Sequence, residues 1–346
     1  MSRHILHPVL ENYRRIMIAR PVHVPPSDKD APLVVAGLFR TASGIGEGAR
    51  STFRMLQDEG KSPIAVCLSE AFDLVDMESP IPLFEMPRAD EGTLVVQLNS
   101  PELPAALQIL GMKRGRSWYV IGYWAWELSI FPPGWDRNFD LVSEIWTPST
   151  FVTEAVGQHP KAPSVSTKGH VIHVPEGVSP NREKFELPQD AKIYITMADS
   201  LSSLDRKNPF AAIRYFKGMH GDDEGALLIV KSRNLAQNKR AKRDLVKAIG
   251  ESPNIRLMDA TLSEPERWSL LASVDCLISL HRSEGFGLPI AEAIALYKEV
   301  VVTAYSGNMD FCTPENSTLV DYELVPCEDR YGRYSYKHAV WASARL

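Results

Sequence analysis

The sequence predicts an α/β protein made of two doubly wound domains in tandem, facing a cleft. Three observations lead there. Apolar, β-branched runs recur along the chain with helix-like segments between them, and that series is broken once, around Ser179 to Asp190, by a polar stretch containing prolines. The length, 346 residues with 44% hydrophobic content, is enough for two cores. The expected division is a leader and linker over residues 1–32, a first domain over 33–178 and a second over 179–346.

The linker is read from the prolines between Pro21 and Pro32, after which LVVAGLF (Leu33 to Phe39) has the unbroken apolar character of a strand buried on both faces of a parallel sheet. Further strands are expected at Pro63 to Leu68, Thr93 to Leu98 and Trp118 to Tyr123, with a helix over Gly46 to Glu59. EIWTPS (Glu144 to Ser149) and HVIHVPEGV (His170 to Val178) read as the last strands of this domain. The second series starts at KIYITMAD (Lys192 to Asp199) and continues with strands at Ala226 to Ser232, Asn254 to Asp259, Cys276 to His281 and Val300 to Ala304. Helices are expected between them at Pro209 to Met219, Lys239 to Ile249, Glu264 to Ala272 and Pro289 to Leu296. Ligands of such sheets bind at the carboxyl ends of the strands.

Composition narrows the function. A net charge of -5 offers no general attraction to polyanions, so nucleic acid is not an expected partner. The cysteines, Cys67, Cys276, Cys312 and Cys327, are far apart, which suits core thiols in a reducing compartment better than a disulfide framework or a zinc site. No window approaches the roughly 20 apolar residues of a membrane span, and the N-terminus lacks a secretion signal, so a cytoplasmic location is expected. Ile5 to Ile18 alternates apolar and basic positions and reads as an ordinary amphipathic helix or leader; the second reading is peripheral contact with an anionic inner membrane face. Asp28-Lys29-Asp30 is the one D-x-D and falls in the linker, where it reads as solvated charge; no metal is expected.

The most informative stretch is HRSEGFGLPIAE, His281 to Glu292, which follows a strand and opens a helix. Gly285 and Gly287 allow the backbone to approach a ligand closely, and Pro289 suits a first helical turn. The exposed N–H groups and positive dipole end of such a helix favour phosphate. Glu284 precedes the helix and Glu292 lies within it. Taken alone, two glutamates so placed read first as a cap and a solvated charge.

E-G-F-G-L-P-I-A-E-A, with its continuation YSGNMDFCTPENS (Tyr305 to Ser317), closely resembles the E-x7-E signature of glycosyltransferase family 4, a retaining family with the GT-B fold of two Rossmann-like domains. The likeness extends from about Val34 to Trp341 and includes GYWAWEL (Gly122 to Leu128), EIWTPSTFVTEAV (Glu144 to Val156) and DRKNPFAAI (Asp205 to Ile213). It implies a retaining, metal-independent transfer of a hexose-type sugar from a UDP- or GDP-sugar to a glycan or lipid-linked acceptor, with polysaccharide or lipopolysaccharide assembly as the setting and no cofactor. By the same resemblance Glu284 contacts the transferred sugar, Glu292 contacts the ribose, and the backbone of Phe286, Gly287 and Leu288 contacts the sugar and distal phosphate.

A diphosphate leaving group gains negative charge as the sugar bond breaks, and without a metal it needs fixed cations. Lys207 matches the family's lysine after the first strand of the second domain, and Lys231 ends the next strand. Arg206 either replaces an arginine that relatives carry several residues earlier or is a solvated helix-start residue. SGIGEGAR (Ser43 to Arg50) forms a glycine-rich turn whose Gly44 and Gly46 are expected to face donor phosphates or acceptor; Gly44-x-Gly46-x-x-Ala49 also fits the dinucleotide fingerprint, so an NAD-dependent oxidoreductase is the alternative. On the acceptor side, Trp124 reads equally as a sugar-stacking face and as core, and Glu127 as a carboxylate that orients a hydroxyl. Tyr297 and Glu299 stand where relatives commonly carry Gly and Pro, and the chain ends early at Leu346, so an impaired relative is a third reading.

Overall fold

A computed structural model describes residues 17–28, 30–200, 202–332, 334 and 336–346 of the chain. The leader reading over Ile5 to Ile18 lies, up to residue 16, outside the described residues, as does Lys29 of the D-x-D text. The chain divides by contact into two compact units, residues up to Trp126 with Ile130–Val171, and Glu127–Ser129 with Ile172–Leu346.

In the first unit a parallel sheet of six strands runs in the order β2-β1-β3-β4-β5-β6. Its strands are β1 (Leu33–Gly37), β2 (Ile64–Cys67), β3 (Glu91–Gln97), β4 (Ser117–Tyr123), β5 (Glu144–Thr147) and β6 (Ser164–Thr167), with helices α1 (Gly44–Asp58), α2 (Leu103–Ile109) and α3 (Thr150–Gly157). Val35, Val95 and Ile121 place their side chains in one layer with Phe39, Ala49, Phe53 and Leu56. A phenylalanine in such a layer contributes about 3–5 kcal/mol by the cost of its truncation. The chain before β1 is tied to the same unit: Val22 N–H donates to Trp118 O at 3.0 Å, and Ser143 Oγ donates to Val22 O at 2.7 Å.

One strand was expected in the wrong place. His170 to Val178 is irregular, and the edge strand is instead Ser164–Thr167, in register with Glu144–Thr147. The apolar lettering of HVIHV misleads because Val171 and Val174 are 40% and 39% exposed, whereas SVST has no apolar run to read.

The second unit carries β7 (Lys192–Met197), β8 (Ala226–Ser232), β9 (Ile255–Asp259), β10 (Cys276–Ser279), β11 (Glu299–Thr303) and β12 (Thr318–Val320), in the order β12-β11-β10-β7-β8-β9. All are parallel neighbours. Numbered from the first of these strands, this is the dinucleotide-domain order, and its topological switch point lies between β7 and β10. The helices are α4 (Leu204–Lys207), α5 (Pro209–His220), α6 (Lys239–Ile249), α7 (Glu264–Ser273) and α8 (Leu288–Ala295). In α6 the buried residues Ala241, Leu245 and Ile249 recur every fourth position while its basic residues face outward, which is why so charged a segment still packs. Ser263 and Glu266 form a reciprocal capping box that starts α7. An antiparallel hairpin of β13 (Tyr322–Pro326) and β14 (Val340–Ala344) follows; no strand was expected there.

Candidate active site

The switch point of the second sheet is where the sequence puts its unusual residues. Strand β7 leads through Ser203 into the short helix α4, whose first turn is capped by the Ser203 hydroxyl accepting from Arg206 N–H at 3.1 Å. Asn208 then takes a left-handed φ of 50°, a conformation asparagine tolerates better than most residues, and its side chain caps α5 and donates to Leu280 O at 2.8 Å. Pro209 can follow directly because the first helical position needs no N–H. The D-R-K-N-P text thereby fixes Arg206 and Lys207 against the end of β10, where Arg282 N–H donates to Arg206 O at 2.7 Å.

From β10 the chain runs through a buried loop into α8. The backbone of Glu284 is held at both ends: its N–H donates to Ser306 Oγ at 2.8 Å and its carbonyl accepts from Gly307 N–H at 3.0 Å. Its carboxylate lies 2.6 Å from Lys207 Nζ and 3.1 Å from Arg206 Nη1, and the residue is only 6% exposed. Burial alone would raise the pKa of this carboxyl, but Lys207 and Arg206 outweigh it and bring it down to about 2. Arg206 is itself buried, donates to Ser283 O at 2.9 Å and lies 3.7 Å from Glu127. Burial acts to lower its pKa, and Tyr334, Glu284 and Glu127 together raise it. Of the two readings of Arg206, its burial beside Glu284 excludes the solvated one.

Helix α8 is preceded by Gly287, whose φ of 99° favours glycine, and no side chain caps it. Every helix of at least eight residues before it, α1, α3, α5, α6 and α7, has a Ser or Asn side chain accepting from its first turn. The start of α8 keeps N–H capacity for an anion. Phe286 packs its ring 4.9 Å from that of Phe311, and Gly285 is buried beside it.

The remaining expected donor residues are divided between the two units, Glu292 and Lys231 in the second and Gly44 and Gly46 in the first. Glu292 is 3% exposed and its carboxylate pairs with Arg267, a residue the sequence reading did not single out. Lys231, 8% exposed at the end of β8, has its pKa lowered to about 8, first by burial and then by Arg233, with Arg267 adding to it. Gly44 and Gly46 lie in the first unit at the start of α1, where Ser43 Oγ accepts from Gly46 N–H at 3.2 Å. A Cβ on Gly46 would stand 2.2 Å from Thr41 O, so this glycine is needed for packing whatever else it does.

Trp124 is fully buried, stacked on Phe139 at 5.6–5.9 Å from its aromatic neighbours Trp135 and Phe139; core filling is the reading its surroundings support. Glu127 accepts from Tyr334 Oη at 2.9 Å, a contact across 207 residues of sequence for which no local signal existed. His281, fully buried, has Nδ1 facing Ser279 and Nε2 facing Tyr305 O and Asn308 Oδ1, which joins β10 to the loop that supplies Ser306. Among the described residues no helix is long and apolar enough to cross a membrane.

No protein-family model and no curated protein sequence matches the chain. Solved structures do match. A glycosyltransferase from Rickettsia africae is similar with a TM-score of 0.60 at 14% identity, over 84% of this chain and 84% of that one. HepE of Anabaena, solved with UDP and glucose, is similar with a TM-score of 0.57 at 12% identity, over 84% of this chain and 86% of that one. TarM of S. aureus, solved with UDP and saccharide ligands, gives 0.51 at 12% identity over 67% of this chain, which spans 46% of TarM. At such identities the likeness concerns the fold, and the chain has the two Rossmann-like domains of the GT-B class.

Proposed function

We propose that this chain is a retaining glycosyltransferase that moves a hexose-type sugar from a UDP- or GDP-sugar to a glycan or lipid-linked acceptor without a metal. The observation that carries the reading is Glu284, fixed between Lys207 and Arg206 at the switch point of the second sheet, next to the uncapped start of α8. A diphosphate seated on those amides gains charge as the glycosidic bond lengthens, and Lys207 and Arg206 are cations already in place to stabilise it. Glu284, deprotonated at any physiological pH, accepts hydrogen bonds from sugar hydroxyls. Glu292 accepts from the ribose hydroxyls, exchanging its bond to Arg267 for them, and Lys231 adds charge on the same strand-end face.

In this reading no side chain becomes a nucleophile. The acceptor hydroxyl attacks from the face the diphosphate leaves, its proton passing to the departing phosphate oxygen, so the configuration at the anomeric carbon is kept. The oxidoreductase alternative rests on the Gly44-x-Gly46-x-x-Ala49 text, and the α1 start it depends on has its Gly46 amide occupied by Ser43. The likeness to glycosyltransferases solved with UDP supports transfer over hydride chemistry. A thermal-shift panel of UDP- and GDP-sugars against NADH tests the choice, since a specific ligand stabilises the folded state with its excess over Kd. Stabilisation by a nucleotide sugar is expected; stabilisation by NADH alone sinks the proposal.

A further inference from the structure

The short helix α4 is gripped by the loop between β13 and β14, from about 125 residues further along the chain. Ser203, which caps α4, also donates its hydroxyl to Asp329 Oδ1 at 2.8 Å. Asp205, 3% exposed, accepts from the backbone N–H of Arg330 at 2.7 Å and from its guanidinium through both carboxylate oxygens, at 2.9 and 3.1 Å from Nε. Arg206 has its guanidinium 5.7 Å from the ring centre of Tyr334. The loop is shaped for this task, since Asp329 also accepts from the N–H groups of Tyr331 and Tyr334 at 3.0 Å each.

We propose that Arg330 is a positioning residue, setting through Asp205 the turn that aims Arg206 and Lys207, so that diphosphate binding depends on the hairpin loop. The inference rests on the transfer reading for the identity of the anion and on geometry alone for the linkage. Arg330 touches none of Glu284, Lys207 or the α8 start in the bonds described, and its guanidinium lies against Asp205, Phe210 and Tyr331. A buried carboxylate that loses such a partner re-orients or draws in water, and Asp205 immediately precedes the two cations. A forked guanidinium spans both carboxylate oxygens, which a lysine ammonium cannot do.

The test compares the full chain with Arg330→Ala and Arg330→Lys. Inorganic pyrophosphate, and separately uridine and guanosine, are titrated into each, and thermal midpoints are recorded. Arg330→Ala is expected to weaken pyrophosphate roughly tenfold, as small misplacements of binding groups do, with nucleoside affinity unchanged and Arg330→Lys in between. Equal pyrophosphate affinity in all chains, or no binding in any, overturns the inference, and so does a parallel loss of pyrophosphate and nucleoside binding, which marks general damage. The transfer reading is judged apart from this, by whether the unmodified chain turns over any nucleotide sugar.

Discussion

Replacing Glu284 by glutamine keeps the shape of the side chain and removes its charge, and the structure gives the size of the consequence. The carboxyl falls from an ordinary value of 4.5 to about 2 because Lys207 and Arg206 offset its burial. That difference corresponds to about 3 kcal/mol of stability supplied by the ionised form. A folded-state value below the unfolded one means that the contribution is complete above pH 4.5 and is lost as pH falls towards 2. The second unit should therefore be about 3 kcal/mol less stable in Glu284→Gln than in the wild type at pH 7, and the gap should shrink to about 1 kcal/mol at pH 3. Hydrogen exchange of amides in β7, β8 and β10 reports this unit without mixing in the other, and at pH 7 those amides should exchange on the order of 100-fold faster in the variant. Equal protection at pH 7, or a gap that widens on acidification, would refute the argument that the two cations hold this carboxylate ionised.

Other outcomes follow from the same geometry. Lys207→Ala should cut turnover of a nucleotide sugar by roughly 100-fold or more through lost charge stabilisation, and lower the thermal midpoint as well, since the buried Glu284 then keeps only Arg206; wild-type turnover in a steady-state assay would exclude it from the site. Lys231 loses its charge near pH 8, so nucleoside diphosphate affinity measured by calorimetry should fall as pH rises through that value, and Lys231→Arg should flatten the profile. Tyr297 ends α8 at φ 55° with 97% exposure, a left-handed position where glycine is usual, so Tyr297→Gly should raise stability by about 1 kcal/mol in urea unfolding.

Much of the fold could be read from the chain because parallel strands buried on both faces announce themselves, as ALLIVKS does at β8 with every residue buried. Edge strands and hairpins gave no such announcement. Ser164–Thr167 is short and polar, and Tyr322–Pro326 is largely exposed, so neither carries an apolar run. The departure at Tyr297 is informative in the same way: the backbone keeps a left-handed helix end although the residue is not glycine, because Lys298 N–H still closes on Ala293 O at 3.0 Å.

In the site, local text marked the α8 start, where Gly287 takes φ 99° two residues before Pro289, whereas Glu284 was given a role only by resemblance. The pairings of Glu284 with Lys207 and of Glu292 with Arg267 were not anticipated, because in each the partners lie on separate segments with no shared pattern. Asp205 with Arg330, 125 residues apart, and Glu127 with Tyr334 are set by tertiary packing and have no local spelling. Trp124 shows the opposite difficulty, since a tryptophan that fills a core and one that stacks on a sugar have the same letter.

The most direct measurement is a crystal structure of the chain with a UDP- or GDP-sugar bound. The account expects the diphosphate at the Gly287–Leu288 amides, with Lys207 and Arg206 within hydrogen-bonding distance and Glu284 on the sugar. A diphosphate seated at the Ser43–Gly46 turn, with the start of α8 and both cations unengaged, would contradict it.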